Sequence, residues 1–285
     1  MIPAAFAYDR PTSLDEALGL LSGSADAKVL AGGQSLLPLL KLRLAGAARL
    51  IDIGRIRELR GIRSTPDGGV SIGALTTYRD LLGSPLATGY RCLAEALPQI
   101  GDIQVRNRGT VGGSVAHADP ASDMPAVLLA LDATLVARSK AGERRIKASE
   151  FFHGAFQTAL GPGELLTEIV IPAAGGTGSA YRKLAQPASG YSIVGVAAVV
   201  GRTGSTITTA HIGITGVGDV AYRATAAESA LVGSDGSAAA IAAAAAHAAD
   251  GVHVASDIHA DRTYRAQMAI VYVRRAVEGA LAGLG

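Results

Sequence analysis

Two glycine pairs carry the most chemistry in this chain of 285 residues. The first, Ala31-Gly32-Gly33-Gln34-Ser35, directly follows the apolar run Lys28-Val29-Leu30. The second is Thr110-Val111-Gly112-Gly113-Ser114, and Gly33 and Gly112 stand 79 positions apart. A diphosphate needs backbone N–H groups aimed at it with no Cβ in the way. Paired glycines followed by a hydroxyl supply that. Two such loops could grip one diphosphate from both sides. Each Gly-Gly alone is also an ordinary hairpin or helix-entry turn.

The second pair has polar company. Arg106-Asn107-Arg108-Gly109 precedes it and His117-Ala118-Asp119-Pro120-Ala121-Ser122-Asp123 follows. Arginines can neutralise phosphate. Asp123 could accept hydrogen bonds from sugar or ribityl hydroxyls. The alternative is that these charges are surface groups or a pair bracing the loop. Gly216-Val217-Gly218-Asp219-Val220-Ala221 matches G-x-G-x-x-A after a strand. Tyr222-Arg223-Ala224 does not continue a convincing helix and no acid-terminated strand follows at the right distance, so a strand-end turn is expected there. The six histidines form no metal-ligand spacing. Seven basic residues between Lys41 and Arg63 make either a solvated face or a docking surface for a partner subunit.

These residues need elements to hold them. Ser13 to Glu16 reads as a capping box, with Leu14, Ala17, Leu18 and Leu21 on one helical face and Gly23 as the stop. Lys28–Leu30 and Leu50–Ile53 read as buried strands, with a segment from Leu36 to Leu44 between them. The middle section begins near Arg55. Val70–Ala74 alternates like a strand, Thr76 or Thr77 can cap a helix through Leu82, and Pro85–Ile100 reads as one more helix. Gly101–Asp123 is too polar for a core element and reads as a long functional loop. Pro125–Leu131 looks helical; Thr134–Arg138 and Glu164–Pro172 look like strands. Ala173–Ser179 is a joint by composition. Beyond it come strands at Ala180–Leu184, Ile193–Val200 and Thr206–Thr215. Two helices follow, the alanine run from Ala238 and Arg262–Leu281 capped by Asp261. Strands followed by helices give an α+β class. The expected units are 1–54, 55–174 and 175–285.

Composition removes several functions. Apolar residues make 49% and charged residues 18%, so the chain folds rather than staying disordered. Net charge is +2, which argues against a general polyanion binder. With 12 aromatic residues and no Trp, a base-stacking nucleic-acid platform is not expected. Met1–Pro11 lacks the layout of a secretion signal, and no apolar run approaches the ~20 residues of a membrane span. The single cysteine, Cys92, allows no internal disulfide. An iron–sulfur cluster usually needs four cysteines. A reduced, cytoplasmic setting fits.

The stretch from Ala31 through Leu44, then Leu50-Ile51-Asp52-Ile53, resembles the flavoprotein (medium) subunits of the molybdenum hydroxylases. Gln104 through Ser114, followed by Ala118 through Asp123, does so too. The likeness is to the carbon monoxide dehydrogenase type, similar to the flavin domain of xanthine dehydrogenase, and runs over nearly the whole chain. It implies a two-subdomain FAD-binding domain of the PCMH type and then a C-terminal α+β domain. Ala31, Gly32, Gly33, Gln34, Ser35 and Leu36 would cradle the FAD diphosphate with Thr110, Val111, Gly112, Gly113 and Ser114. Asp123, Leu166, Lys183 and Tyr191 fall where the family has flavin contacts. Ser114 departs from the asparagine of many relatives, which alters contacts without removing binding.

The resemblance also implies partners. A small [2Fe-2S] subunit and a large molybdopterin subunit would join this chain in a dimer of heterotrimers. Substrate would be oxidised at molybdenum, and FAD would pass the electrons to an external acceptor. This chain then needs no catalytic acid or base and no metal of its own. It would lie in the cytoplasm or be held at the inner membrane face through the complex. Two rival readings are a self-contained flavin oxidoreductase, for which only Tyr191 offers itself as a base, and a scaffold whose flavin site has decayed.

Overall fold

Side-chain caps set several of the helix starts. The computed structural model describes residues 2–284. The N-terminal unit holds β1 (Ala7–Asp9), α1 (Leu14–Ser22), β2 (Ala27–Leu30), α2 (Leu36–Lys41) and β3 (Arg49–Asp52). The Ser13 hydroxyl accepts from the Glu16 amide at 3.3 Å. The Glu16 carboxylate reaches back one residue further than a capping box requires, to the Thr12 amide at 3.0 Å. The three strands are parallel in the order β1-β3-β2. Leu14, Ala17 and Leu18 of α1 share an apolar cluster with Ile51 and Ile53 and with Ile56, Leu59, Leu75 and Leu165 from the next unit. That shared cluster fixes the β2–α2 loop against the middle unit.

The middle unit begins with β4 (Ile62–Ser64), β5 (Val70–Gly73) and α3 (Tyr78–Leu82). Thr77 and Asp80 form a complete capping box at α3. The helix expected over Pro85–Ile100 is broken into α4 (Pro85–Thr88), α5 (Arg91–Ala96) and a 3-10 turn over Leu97–Gln99. Gly89 and Tyr90 break it, and the Tyr90 hydroxyl is turned away to donate to the Pro172 carbonyl at 2.8 Å.

The polar stretch from Gly101 to Asp123 is not a loop. It folds as α6 (Ile103–Arg108) and α7 (Val111–His117) and leads into α8 (Asp123–Ala130). Asp102 caps α6 through the Val105 amide (2.8 Å), and Thr110 caps α7 through the Gly113 amide (3.2 Å). Capping and burial of Val111, Gly112 and Val115 override the low helix propensity of the segment.

The rest of this unit is β6 (Thr134–Ser139), β7 (Gly142–Lys147), a small hairpin of β8 (Phe152–Gly154) and β9 (Gln157–Thr158), and β10 (Leu165–Ile171). The main sheet is antiparallel in the order β4-β5-β10-β6-β7. A bulge at Thr167 lies between the pairs Leu166↔Ala137 and Glu168↔Val136. It lies beside Leu166, where it alters the direction of the strand's side chains.

The C-terminal unit is an antiparallel sheet of β11 (Gly178–Ala185), β12 (Ser192–Thr203), β13 (Thr206–Thr215) and β14 (Tyr222–Arg223), in that order. Helices α9 (Thr225–Leu231), α10 (Ala238–Ala245) and α11 (Arg262–Leu281) supply its second layer. Asp261 caps α11 through the Tyr264 amide at 2.7 Å, as expected. Helix α8 packs on β12 and β13. A Cβ on Gly213 would stand 2.0 Å from the Ala126 carbonyl oxygen. All eight residues of α8 are buried, Asp123 among them. Gly216 ends β13 in a turn, as expected for the G-x-G-x-x-A match. Among the described residues no helix is long and apolar enough to cross a membrane.

Candidate functional site

The two glycine motifs meet across a cleft of about 470 Å³. Thirteen of the fifteen expected site residues line it; Val111 and Lys183 do not. The first motif follows β2 and turns sharply. Gly33 has φ +75°, the left-handed region that glycine enters without a Cβ penalty. The backbone N–H groups of Gly32, Gly33, Gln34 and Ser35 donate to no acceptor among the described residues. Four successive unpaired amides make a concave donor set of the kind that holds phosphate oxygens.

The second motif, also expected to grip the diphosphate, is built differently. Its amides are committed to the fold. Val111 donates to the Thr76 carbonyl (3.0 Å), Gly112 to the Ala74 carbonyl (2.9 Å) and Ser114 to the Thr110 carbonyl (3.1 Å). Gly113 donates to the Thr110 hydroxyl. Val111 is buried, so neither its side chain nor its amide faces the cleft. Gly112 is small because α7 crosses the end of β5: a Cβ there would stand 2.4 Å from the Ala74 Cβ. Gly113 faces the first motif, where a Cβ would come within 3.4 Å of the Ala31 Cβ. The second motif therefore contributes a bare surface and the Ser114 hydroxyl, which pairs with the Ser122 hydroxyl at 2.9 Å.

Asp123 joins the cleft to the C-terminal unit. Its carboxylate accepts from the Tyr181 hydroxyl (2.5 Å) and the Ser192 hydroxyl (3.0 Å), and it pairs with the Lys183 ammonium (2.8 Å). Burial pushes this carboxyl above the ordinary range, and Lys183, Tyr181 and Ser192 oppose the push. Lys183 has a fully buried side chain that also donates to the Gln99 carbonyl at 3.0 Å. It stands behind Asp123 instead of on the cleft wall.

Tyr191 closes the far side. It lies in the β11–β12 connection, where Gly190 has φ +72° and the Gln186 amide donates to the Tyr191 carbonyl at 2.8 Å. Tyr191 is 46% exposed, and burial first, then Asp119 and Asp123, raise its phenol pKa. It is therefore a neutral aromatic face, unsuited to act as a base near neutral pH. The other acid on the cleft, Glu164, is held by Arg144 at 2.7 Å. That ion pair lowers the Glu164 pKa. The cleft is built to bind and orient.

Tyr78, His117 and Phe156 also line the cleft and were not among the expected site residues. His117 and Phe156 form a tilted ring pair with centroids 5.0 Å apart. Their positions depend on how α3, α7 and the β8–β9 hairpin pack, which no local spacing in the sequence encodes. Among the seven basic residues from Lys41 to Arg63, Arg49 pairs with Asp9, Arg63 pairs with Glu168, and Arg60 donates to the carbonyls of Gly54 and Leu75.

Comparison with known proteins agrees with this geometry over the whole length. The family described as the FAD binding domain in molybdopterin dehydrogenase matches residues 4–174. The CO dehydrogenase flavoprotein C-terminal domain matches residues 179–280. The carbon monoxide dehydrogenase medium chain of Hydrogenophaga pseudoflava is 42% identical over 285 residues, 99% of each chain. The glyceraldehyde dehydrogenase medium chain of Sulfolobus acidocaldarius is 42% identical over 234 residues, 82% of this chain and 83% of the relative. A solved carbon monoxide dehydrogenase from Hydrogenophaga pseudoflava, lacking the Mo-pyranopterin moiety of its molybdenum cofactor, superposes with a TM-score of 0.96. It is 44% identical and covers 99% of both chains.

Proposed function

The chain belongs to the FAD-binding flavoprotein family of the molybdopterin dehydrogenases, and from that membership we propose that it is the FAD-carrying electron-transfer subunit of a molybdenum hydroxylase complex. The observation that carries the proposal is the row of four amides from Gly32 to Ser35 that find no acceptor among the described residues, in a turn at the left-handed Gly33 whose residues line the cleft. These groups fit a diphosphate. Bound FAD supplies one- and two-electron redox chemistry. The residues of this chain bind and orient it. Gly32–Ser35 hold the diphosphate, Gly113 and Ser114 form the opposite wall, Asp123 offers a fixed acceptor, and Leu166 and Tyr191 exclude water from the ring.

The electrons must come from elsewhere. Cys92 is fully buried, and burial pushes its thiol up to about 12, so it ligates no cluster. The proposal therefore includes a small [2Fe-2S] subunit, a large molybdopterin subunit, assembly as a dimer of heterotrimers, and an external electron acceptor. The complex would work in the cytoplasm or at the inner membrane face. Units 1–54, 55–174 and 175–285 would act as two halves of the FAD cleft and a C-terminal clamp reaching it through Asp123 and Tyr191. Identity does not select the substrate: two relatives at 42% are named for carbon monoxide and for glyceraldehyde.

The full chain, purified and titrated with FAD, tests the reading. It is expected to take up one FAD, turn yellow and reduce no small organic substrate alone. A folded chain that takes up no FAD overturns the proposal. Substrate turnover by the isolated chain would replace it with a self-contained oxidoreductase.

A further inference from the structure

The Tyr78 side chain lines the cleft yet is only 2% exposed, and its hydroxyl has no hydrogen-bond partner among the described residues. The ring is held from two sides. The Thr77–Asp80 capping box fixes the first turn of α3. The Tyr78 amide donates to the Gly109 carbonyl at 3.2 Å, and a Cβ on Gly109 would stand 3.3 Å from the ring carbons. The side chain is thereby kept from swinging out to water. The Ser114 hydroxyl is the polar group next to the phenol, but it lies outside hydrogen-bond geometry with it and pairs with the Ser122 hydroxyl at 2.9 Å. Burial raises the phenol pKa against the opposing effect of the nearby Ser114 hydroxyl, and Asp123 and Tyr191 add to the rise, so the group keeps its proton and can donate.

A buried hydroxyl left unpaired is costly in a folded protein and is rare unless a ligand satisfies it. We infer that the Tyr78 hydroxyl, with the Ser114 hydroxyl beside it, donates a hydrogen bond to an acceptor oxygen of the dinucleotide in the cleft. The inference rests on the FAD reading above and adds a binding residue outside both glycine motifs.

Tyr78→Phe removes only the hydroxyl, and the full chain carrying it is the test. FAD affinity is measured by fluorescence titration, thermal midpoints are taken with and without FAD, and the visible spectrum and reduction potential are recorded. The variant is expected to bind FAD about tenfold more weakly. Its midpoint without FAD should equal or exceed that of the wild type, because an unsatisfied group has gone. A change in spectrum or potential would mean contact with the ring; loss of affinity alone would mean contact with the diphosphate or the sugar chain. A folded Tyr78→Phe chain with unchanged affinity, spectrum and potential overturns the inference. If Tyr78→Phe does not fold, Tyr78→Met, which also lacks the hydroxyl but keeps an apolar side chain of similar length, decides by the same readouts. A wild-type chain that binds no FAD overturns the functional reading instead, so the two failures stay distinct.

Discussion

A Cβ placed on Gly32 would stand 2.2 Å from the carbonyl oxygen of Arg108 and 3.0 Å from the Cα of Gly109. The two subdomains thus touch backbone to backbone at the floor of the cleft. The residue before the left-handed Gly33 is glycine because the end of α6 leaves no room for anything larger. Gly32 couples the geometry of the donor loop to the contact between subdomains.

Gly32→Ala must therefore move backbone, since no flexible side chain can yield there. Overpacking of this kind costs about 1–3 kcal/mol. Some of that will appear as lost stability and some as displacement of the four amides. The expected result is at least tenfold weaker FAD binding with a lowered thermal midpoint, read by fluorescence titration and thermal melting of the same samples. Unchanged affinity would mean that the loop is not the diphosphate cradle.

Neighbouring glycines should separate binding from folding. A Cβ on Gly112 would meet the Ala74 Cβ at 2.4 Å, inside the core. A Cβ on Gly113 meets the Thr110 hydroxyl at 2.7 Å and then faces Ala31 across the cleft. Gly112→Val should fail to give folded protein. Gly113→Val should abolish FAD retention while leaving the fold largely intact, as judged by circular dichroism and a flavin-to-protein absorbance ratio near zero. Retained flavin in Gly113→Val would remove that residue from the site.

Cys92 offers a probe of the core. It is fully buried, and burial pushes its thiol up to about 12. The native chain should react with no thiol reagent at pH 8, where the group stays protonated and inaccessible, and one thiol should appear on denaturation. Rapid labelling of the native chain would contradict the packing of α5 on β11.

Much of this arrangement was legible in the residues. Ser13, Thr77 and Asp261 announced their helices because a cap is local chemistry, complete within three residues. The first Gly-Gly pair was legible as a loop for the same reason. Helices α6 and α7 were not, because small and polar side chains such as Gly112, Gly113 and Ser114 give no apolar period. Their stability comes from packing, α6 on α3 and α7 on β10, and from the bonds that Val111 and Gly112 make to the Thr76 and Ala74 carbonyls. Edge strand β7 was also hidden: of Gly142–Lys147 only Ile146 is buried, so no alternation shows. The unequal roles of the two glycine motifs depended on where each amide finds its acceptor. For Gly112 that is the Ala74 carbonyl, 38 positions away in sequence and 2.9 Å away in space.

The Asp123–Lys183 pair gives a pH-dependent prediction with a definite sign. Burial pushes the Asp123 carboxyl above the ordinary range, and the Lys183 ammonium opposes it most strongly. Lys183→Met leaves the desolvated carboxylate without its cation and raises its pKa in the folded state further. In the unfolded chain the pKa stays near the ordinary value of about 3.9. A group with a raised folded-state pKa contributes stability below its unfolded pKa, and that contribution is lost as pH rises through the folded value. The variant should therefore lose about 3–5 kcal/mol at pH 7, where the charge is uncompensated, and distinctly less at pH 5, where Asp123 can take up a proton. Urea unfolding of both chains at the two pH values checks this. Equal losses at both would mean that Lys183 acts through packing and through its bond to the Gln99 carbonyl, with its charge contributing nothing. Lys183→Met combined with Asp123→Asn should recover most of the pH 7 loss, since a neutral amide can still accept from Tyr181 and Ser192.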